Sequence, residues 1–266
     1  MSFQLPTLLS ALEIIAPLRL AEDWDNVGLL LEPDPEAEIS RVLLTIDLTD
    51  TVVDEAIEFG AELIVSYHPP IFGGLKRLTQ ARPDERALLR LVNDGIAVYS
   101  PHTALDAAAG GVNDWLAKGI GKGETQPVAP HSTDAALGAG RQISLATPTR
   151  LDSIIKRVKR HLKLDHVRVA TAPEHAANIP IQSAMVCAGA GGSLLSGKRT
   201  DLLLTGEMRH HDVLWATRTG TSVILTDHTN CERGYLPTLS RAMRASLGTK
   251  LKVRIALSDA DPLVIC

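Results

Sequence analysis

Residues Glu62-Leu63-Ile64-Val65-Ser66-Tyr67-His68-Pro69-Pro70 decide how this chain is read. A short run of Leu, Ile and Val is the mark of a buried strand. It ends on side chains that can ligate metal, followed by two prolines that stop regular structure. The same arrangement recurs along the chain. His102 and Asp106 follow the run Ile96 to Tyr99, and Gly206-Glu207, leading to His210-His211, follow Asp201 to Thr205. His228 and Glu232 follow Thr221 to Thr226, and two further strands are predicted over Arg41 to Asp47 and Ala184 to Ala188. Helical periodicity fills the intervals: Leu8 to Ala16, Asp50 to Phe59, Asp84 to Asn93, Gly111 to Ala117, Leu151 to His161, Met208 to Thr217 and Gly234 to Ala245. This alternation predicts an α/β fold built from βα units on a largely parallel sheet. In such sheets the ligand site lies off the carboxyl ends of the strands, where all four polar clusters fall. Imidazole and carboxylate gathered there suit Zn, Fe or Mn and leave coordination positions open for water.

Length and composition are compatible with this architecture. The 266 residues, 45% apolar, exceed one average domain and can bury a sizeable core, as two lobes or one large α/β domain. Aromatics make up only 3%, so the core is mostly aliphatic, which suits helices packed on sheets. A net charge of −4 argues against general nucleic-acid binding. The N-terminus has no basic region followed by an apolar stretch, and no run approaches membrane-spanning length. A cytoplasmic protein is the expectation. Cys187, Cys231 and Cys266 form no paired motif, so neither a disulfide framework nor a thiolate zinc site is indicated. The stretch from Gly119 to Gly140, rich in Gly and Pro, interrupts the pattern and reads as a linker or insertion.

Each cluster also has an ordinary structural reading. His68 could be a turn histidine bonded to a backbone carbonyl, and Asp106 could cap the helix after Gly110 or close a turn with His102. His210-His211 could be a solvated helix face, and Glu232 could sit at a helix N-terminus. Gly189-Ala190-Gly191-Gly192 could cradle a phosphate, or be a tight turn requiring positive φ. Cys231 beside Glu232 reads as a bystander rather than a thiolate ligand. Common placement at strand ends weighs against four independent coincidences.

Several segments together resemble a known family. Glu22-Asp23-Trp24-Asp25-Asn26-Val27-Gly28-Leu29, Ser66-Tyr67-His68-Pro69-Pro70-Ile71-Phe72, His102-Thr103-Ala104-Leu105-Asp106-Ala107, Gly110 to Leu116 and Thr205-Gly206-Glu207 through His211, then His228 and Glu232, look like the Nif-three-like dinuclear metal proteins, often called type-two GTP cyclohydrolase-one homologues. The resemblance runs from about residue 10 to residue 245. It implies a single family domain over 1–266 in two interlinked α/β lobes, near 1–120 with 220–266 and 121–219. It also implies a paired divalent-metal site in the cleft and a homo-oligomer, commonly a ring-shaped hexamer. Carried over residue by residue, the ligand positions hold Tyr67, His68, Asp106, His228 and Glu232. Tyr67 departs from the pattern by replacing the first imidazole, a form that resembles the eukaryotic-type branch. A phenol with an ordinary pKa near ~10 is the poorer ligand at neutral pH, so the expected metal ligands are His68, Asp106, His228 and Glu232, holding one or two ions of Zn, Fe or Mn.

The implied activity is metal-dependent hydrolysis of a small molecule, with a purine nucleotide such as GTP as the family-derived substrate. Water acidified at the metal would attack the C8 carbon of guanine. His102, Glu207 and His211 are the candidate acid or base groups that would protonate the departing ring nitrogen. The alternatives are a dinuclear-metal phosphoesterase, and a regulatory or scaffold protein that keeps the metal-binding cleft without turnover.

Overall fold

The computed structural model describes residues 2–265, so Cys266 lies outside the described residues. The chain divides into two compact units, Met1–Leu105 with Tyr235–Ala260, and Asp106–Gly234 with Asp261–Cys266.

The first unit is built on a five-stranded sheet in the order Lys252–Ile255, Arg41–Thr45, Leu63–Ser66, Ala97–Ser100, Gly28–Leu31. The first four strands are parallel and Gly28–Leu31 runs antiparallel on the edge. Leu63–Ser66 is buried at every position, as expected of a strand covered on both faces. One core cluster joins Leu43, Ile64 and Val98 of the sheet to Val52, Val53 and Ala56 of helix Asp50–Phe59 and to Ala87 and Leu91 of helix Pro83–Asn93. Helix Asp50–Phe59 starts where Thr49 Oγ1 accepts the Val52 N–H and stops at Gly60, whose φ of 65° suits glycine. Helices Leu5–Ile15 and Leu236–Leu247 pack against each other through their buried leucine faces.

The second unit carries a six-stranded sheet in the order Arg168–Ala170, Ser222–Leu225, Leu202–Thr205, Ile181–Cys187, Arg141–Thr149, Gly123–Gln126. Only Ile181–Cys187, Leu202–Thr205 and Ser222–Leu225 are mutually parallel. The other three pair antiparallel, so the expectation of a largely parallel sheet holds in the first unit and fails here. The stretch Gly119 to Gly140 is likewise not a simple linker. It contributes the edge strand Gly123–Gln126 and an antiparallel pair, Ala129–His131 with Asp134–Ala139. Its glycines serve close backbone approach: a Cβ on Gly123 would lie 2.0 Å from Ser144 O. Met185, Leu203 and Val223 pack with Leu195 and Ala216 to form a core cluster of this unit.

All six strands expected from the sequence are present, shifted by one to three residues at their ends. Each polar cluster does follow a strand: Tyr67-His68 after Ser66, His102 two residues after Ser100, Glu207 two after Thr205 and His228 three after Leu225.

Candidate metal centre

In the first unit, Tyr67 and His68 leave the sheet with their backbone still paired to it, since their N–H groups donate to Thr45 O and Ile46 O. His68 Nδ1 lies 2.8 Å from Asp47 Oδ1. An ionised carboxylate only accepts, so Nδ1 carries the proton and Nε2 is left with its lone pair, the tautomer a metal ligand requires. The partner is thus a carboxylate rather than the carbonyl of the turn reading. His102 repeats the device, with Nδ1 2.7 Å from Asp25 Oδ1. Asp25 has a fully buried side chain and also accepts from the Thr103 N–H and hydroxyl. Burial alone would raise its pKa, but the hydrogen bonds from His102 and Thr103 outweigh it and hold the carboxyl below the usual range. The His102 backbone has φ 26°, a conformation disfavoured for a residue with a Cβ, and the Asp25 bonds help to hold it. The rings of Tyr67, His68 and His102 meet with centroids 5.0 to 5.6 Å apart, and Tyr67 is 3% exposed.

Asp106 occupies the same short helix as His102, His102–Ala107, four residues on and therefore on the same face. The next helix, Val112–Ile120, begins at Gly111, and Asn113 Nδ2 donates back to Asp106 O at 3.2 Å. The carbonyls of Ala107 and Ala108, at the end of the Asp106 helix, are held by Arg141 Nη2 at 3.2 and 3.1 Å. Arg141 is itself buried and paired with Asp114 at 2.5 Å.

In the second unit, Glu232 is 2% exposed and its Oε1 lies 3.6 Å from His228 Nε2, while His228 Nδ1 lies 3.4 Å from Glu207 Oε2. Two donors on a tetrahedral ion with bonds of 2.0 to 2.2 Å stand about 3.4 Å apart, so the His228–Glu232 spacing fits a shared cation. Gly189 forms the floor beneath them. Its φ is 59°, and a Cβ there would lie 2.5 Å from Glu232 Oε1 and 2.9 Å from His228 Nε2. The glycine-rich loop therefore has both the positive φ expected of a turn and a space requirement that the sequence did not reveal. Cys231 is fully buried, and burial, reinforced by the Glu232 charge, pushes its thiol well above the ordinary range. It accepts the Gly189 N–H at 3.1 Å and donates to His228 O at 3.0 Å, fixing the two backbones. That is a structural thiol, in accord with the bystander reading. Glu207 is half exposed beside His228, whereas His211 is exposed on the first turn of helix His210–Arg218, its neighbour His210 in ring contact at 5.4 Å.

His228 and Glu232 of the second unit are spaced as donors to one cation, and His68 of the first unit offers a further imidazole donor. Imidazole nitrogen and carboxylate oxygen are donors that divalent Zn, Fe or Mn accepts. Asp25 and Asp47, which orient His102 and His68, were missed as functional residues. Both are distant in sequence from their partners, and only the place of Asp25 in the Glu22–Leu29 segment could have drawn notice.

The family model for Duf34/NIF3 (NGG1p interacting factor 3) matches residues 3–262. A Schizosaccharomyces pombe protein, "Protein NIF3 homolog", is 45% identical over 268 residues, covering 96% of each chain. Drosophila melanogaster "NIF3-like protein 1" is 44% identical over 262 residues, covering 98% of this chain and 89% of the relative. Among solved structures, a Staphylococcus aureus hypothetical protein superposes with a TM-score of 0.84 at 25% identity, covering 97% of this chain and 98% of the other. The chain belongs to the Duf34/NIF3 (NGG1p interacting factor 3) family.

Proposed function

We propose that this chain is a metal-dependent hydrolase, with His68, Asp106, His228 and Glu232 as ligands of one or two divalent ions. The observation that carries the reading is the His228–Glu232–Gly189 arrangement: a buried carboxylate and an imidazole nitrogen at cation-sharing distance over a glycine that no other residue could replace without collision. A divalent ion, when bound, supplies Lewis acidity that can lower the pKa of water to about 7 in favourable zinc sites. The chain's own contribution is orientation and charge. Asp47 fixes the His68 ring through Nδ1, which makes Nε2 the nitrogen that would ligate, and Glu232 and Asp106 offer the negative charge that offsets divalent cations. Asp25 holds His102 through Nδ1, which leaves Nε2 as the basic nitrogen and makes His102 the strongest candidate to take a proton from water and return it to a leaving nitrogen or oxygen. Glu207, beside His228, is a second acid or base candidate, and His211 a third. A purine nucleotide such as GTP is the substrate we infer from the family resemblance, and a phosphoester is the nearest alternative because both need only activated water and an electrophile.

A second reading has specific support in the family description, which names an NGG1p interacting factor. On that reading the metal-binding residues serve partner recognition without turnover. The two are separated by nucleotide hydrolysis with metal added back, measured for wild type and Asp106→Ala. The hydrolase reading expects turnover that the substitution abolishes. Partner binding retained in the absence of turnover overturns it.

A further inference from the structure

In a chain with nine Phe, Trp and Tyr residues, two of them stand largely in solvent side by side. Trp24 is 61% exposed and Phe72 57%, with ring centroids 6.0 Å apart. Both face His102, at 6.1 and 6.4 Å between centroids and near-perpendicular angles of 78° and 79°. Their exposure is not that of unanchored loops. The Trp24 segment is tied down on both sides, through the Glu22 N–H to Thr103 Oγ1 at 3.0 Å and the buried Asp25 carboxylate to His102 and Thr103. The Phe72 segment is joined to it by Asn26 Nδ2 donating to Ile71 O. A fixed backbone presenting two bare rings is a preorganised apolar platform, and fixed exposed aromatics are how proteins hold planar rings.

Phe72 also lines a cleft of about 540 Å³ with Lys76, Arg77 and Arg82. Two acidic residues, Asp84 and Glu85, also line that cleft, and Glu85 is already engaged, accepting from the Thr79 N–H and hydroxyl at 2.8 Å each and lying 3.5 Å from Arg82 Nε. Lys76, Arg77 and Arg82 outnumber the two carboxylates, so the cleft keeps an excess of positive charge next to the aromatic platform.

The geometry points to a ligand subsite on the first unit, in which Trp24 and Phe72 stack a planar heteroaromatic ring and Lys76 and Arg77 hold an anionic group, such as phosphate, attached to it. This rests on the reading of the His102 neighbourhood as one that acts on a small molecule, and it names the residues that would select that molecule. The ring sits beside His102, where a proton acceptor is needed, and the anion lies beyond Phe72.

The test is calorimetric titration of the full chain with guanosine 5′-monophosphate, guanosine and ribose 5-phosphate. The monophosphate is expected to bind tightest. Trp24→Ala should weaken it by about tenfold or more, the scale of one lost stacking contact, while leaving ribose 5-phosphate unchanged; Trp24→Phe should retain most of the affinity. Lys76→Glu should weaken both phosphorylated probes and spare guanosine. If Trp24→Ala does not fold, Phe72→Ala asks the same question. The inference is overturned if wild type binds the monophosphate no tighter than ribose 5-phosphate, or if neither aromatic substitution changes its affinity. A change in oligomeric state with unchanged affinity also overturns it, assigning the rings to a second copy of the chain. Ring-dependent binding without turnover would leave the subsite standing and remove the hydrolase reading, whereas turnover without ring dependence does the reverse.

Discussion

Gly189→Ala isolates the floor of the candidate centre from the rest of the fold. An alanine at φ 59° carries a left-handed backbone penalty of about 1–2 kcal/mol. Its Cβ would also lie 2.5 Å from Glu232 Oε1, nearly an ångström closer than ordinary contact, and 2.9 Å from His228 Nε2. His228 can swing towards solvent, its side chain being 35% exposed, but Glu232 at 2% has no such path and must be displaced within the packed interior. Metal–ligand distances tolerate only about ±0.2 Å. Zinc affinity, measured by calorimetry on metal-stripped protein, should therefore fall at least about tenfold, ~1.4 kcal/mol. The backbone strain should lower the thermal midpoint by about 2–8 °C, at ~2–4 °C per kcal/mol for a chain of this size. Gly197→Ala supplies the control, because Gly197 has φ 74° and open space around the position of its missing Cβ. It should lose comparable stability and keep its zinc affinity. Unchanged zinc binding in Gly189→Ala, or equal loss in both variants, would refute the reasoning.

Three further outcomes follow from the same geometry. The Asp25 carboxyl titrates below its ordinary range in the folded state, so its stabilising contribution is complete above the unfolded value and disappears as pH falls through the folded one; the urea-midpoint gap between wild type and Asp25→Asn should be wide at pH 7 and close below about pH 4. Arg141→Met strands Asp114 and releases the carbonyls that end the Asp106 helix, and should cost about 3–5 kcal/mol in denaturant unfolding, with Arg141→Lys recovering only part. Tyr67→His supplies an imidazole available at neutral pH, and should raise occupancy of a second, weaker metal position in calorimetric titration; two matched affinities already present in wild type would count against that role.

The fold was legible where strands are buried on both faces. Leu63–Ser66, Leu202–Thr205 and Ser222–Leu225 are continuous apolar runs because helices or chain cover both sides, and the sequence displays them plainly. Gly123–Gln126 is exposed at all four positions, and Arg141–Thr149 buries only Arg141 and Ile143, with Leu145 half-buried, so neither carries an apolar signal. Their antiparallel pairing is decided by tertiary contact. The candidate ligands were legible as residue types at strand ends, but their support was not. Asp25 reaches His102 across 77 positions and Asp47 reaches His68 across 21, and only the fold makes those pairs. Gly189 appeared as one glycine in a permissive loop, whereas its requirement comes from Glu232 and His228, about forty residues away in sequence.

We propose divalent metal held through His68, Asp106, His228 and Glu232 and used for hydrolysis. Elemental analysis of protein purified without chelator or added metal, with GTP hydrolysis followed in the same samples, tests it most directly. Wild type should carry about one to two equivalents of Zn, Fe or Mn per chain and turn over nucleotide, while Glu232→Gln and Asp106→Ala, still folded by circular dichroism, should lose metal and turnover together. Metal absent from wild type, or content and turnover unchanged in both variants, would contradict the account.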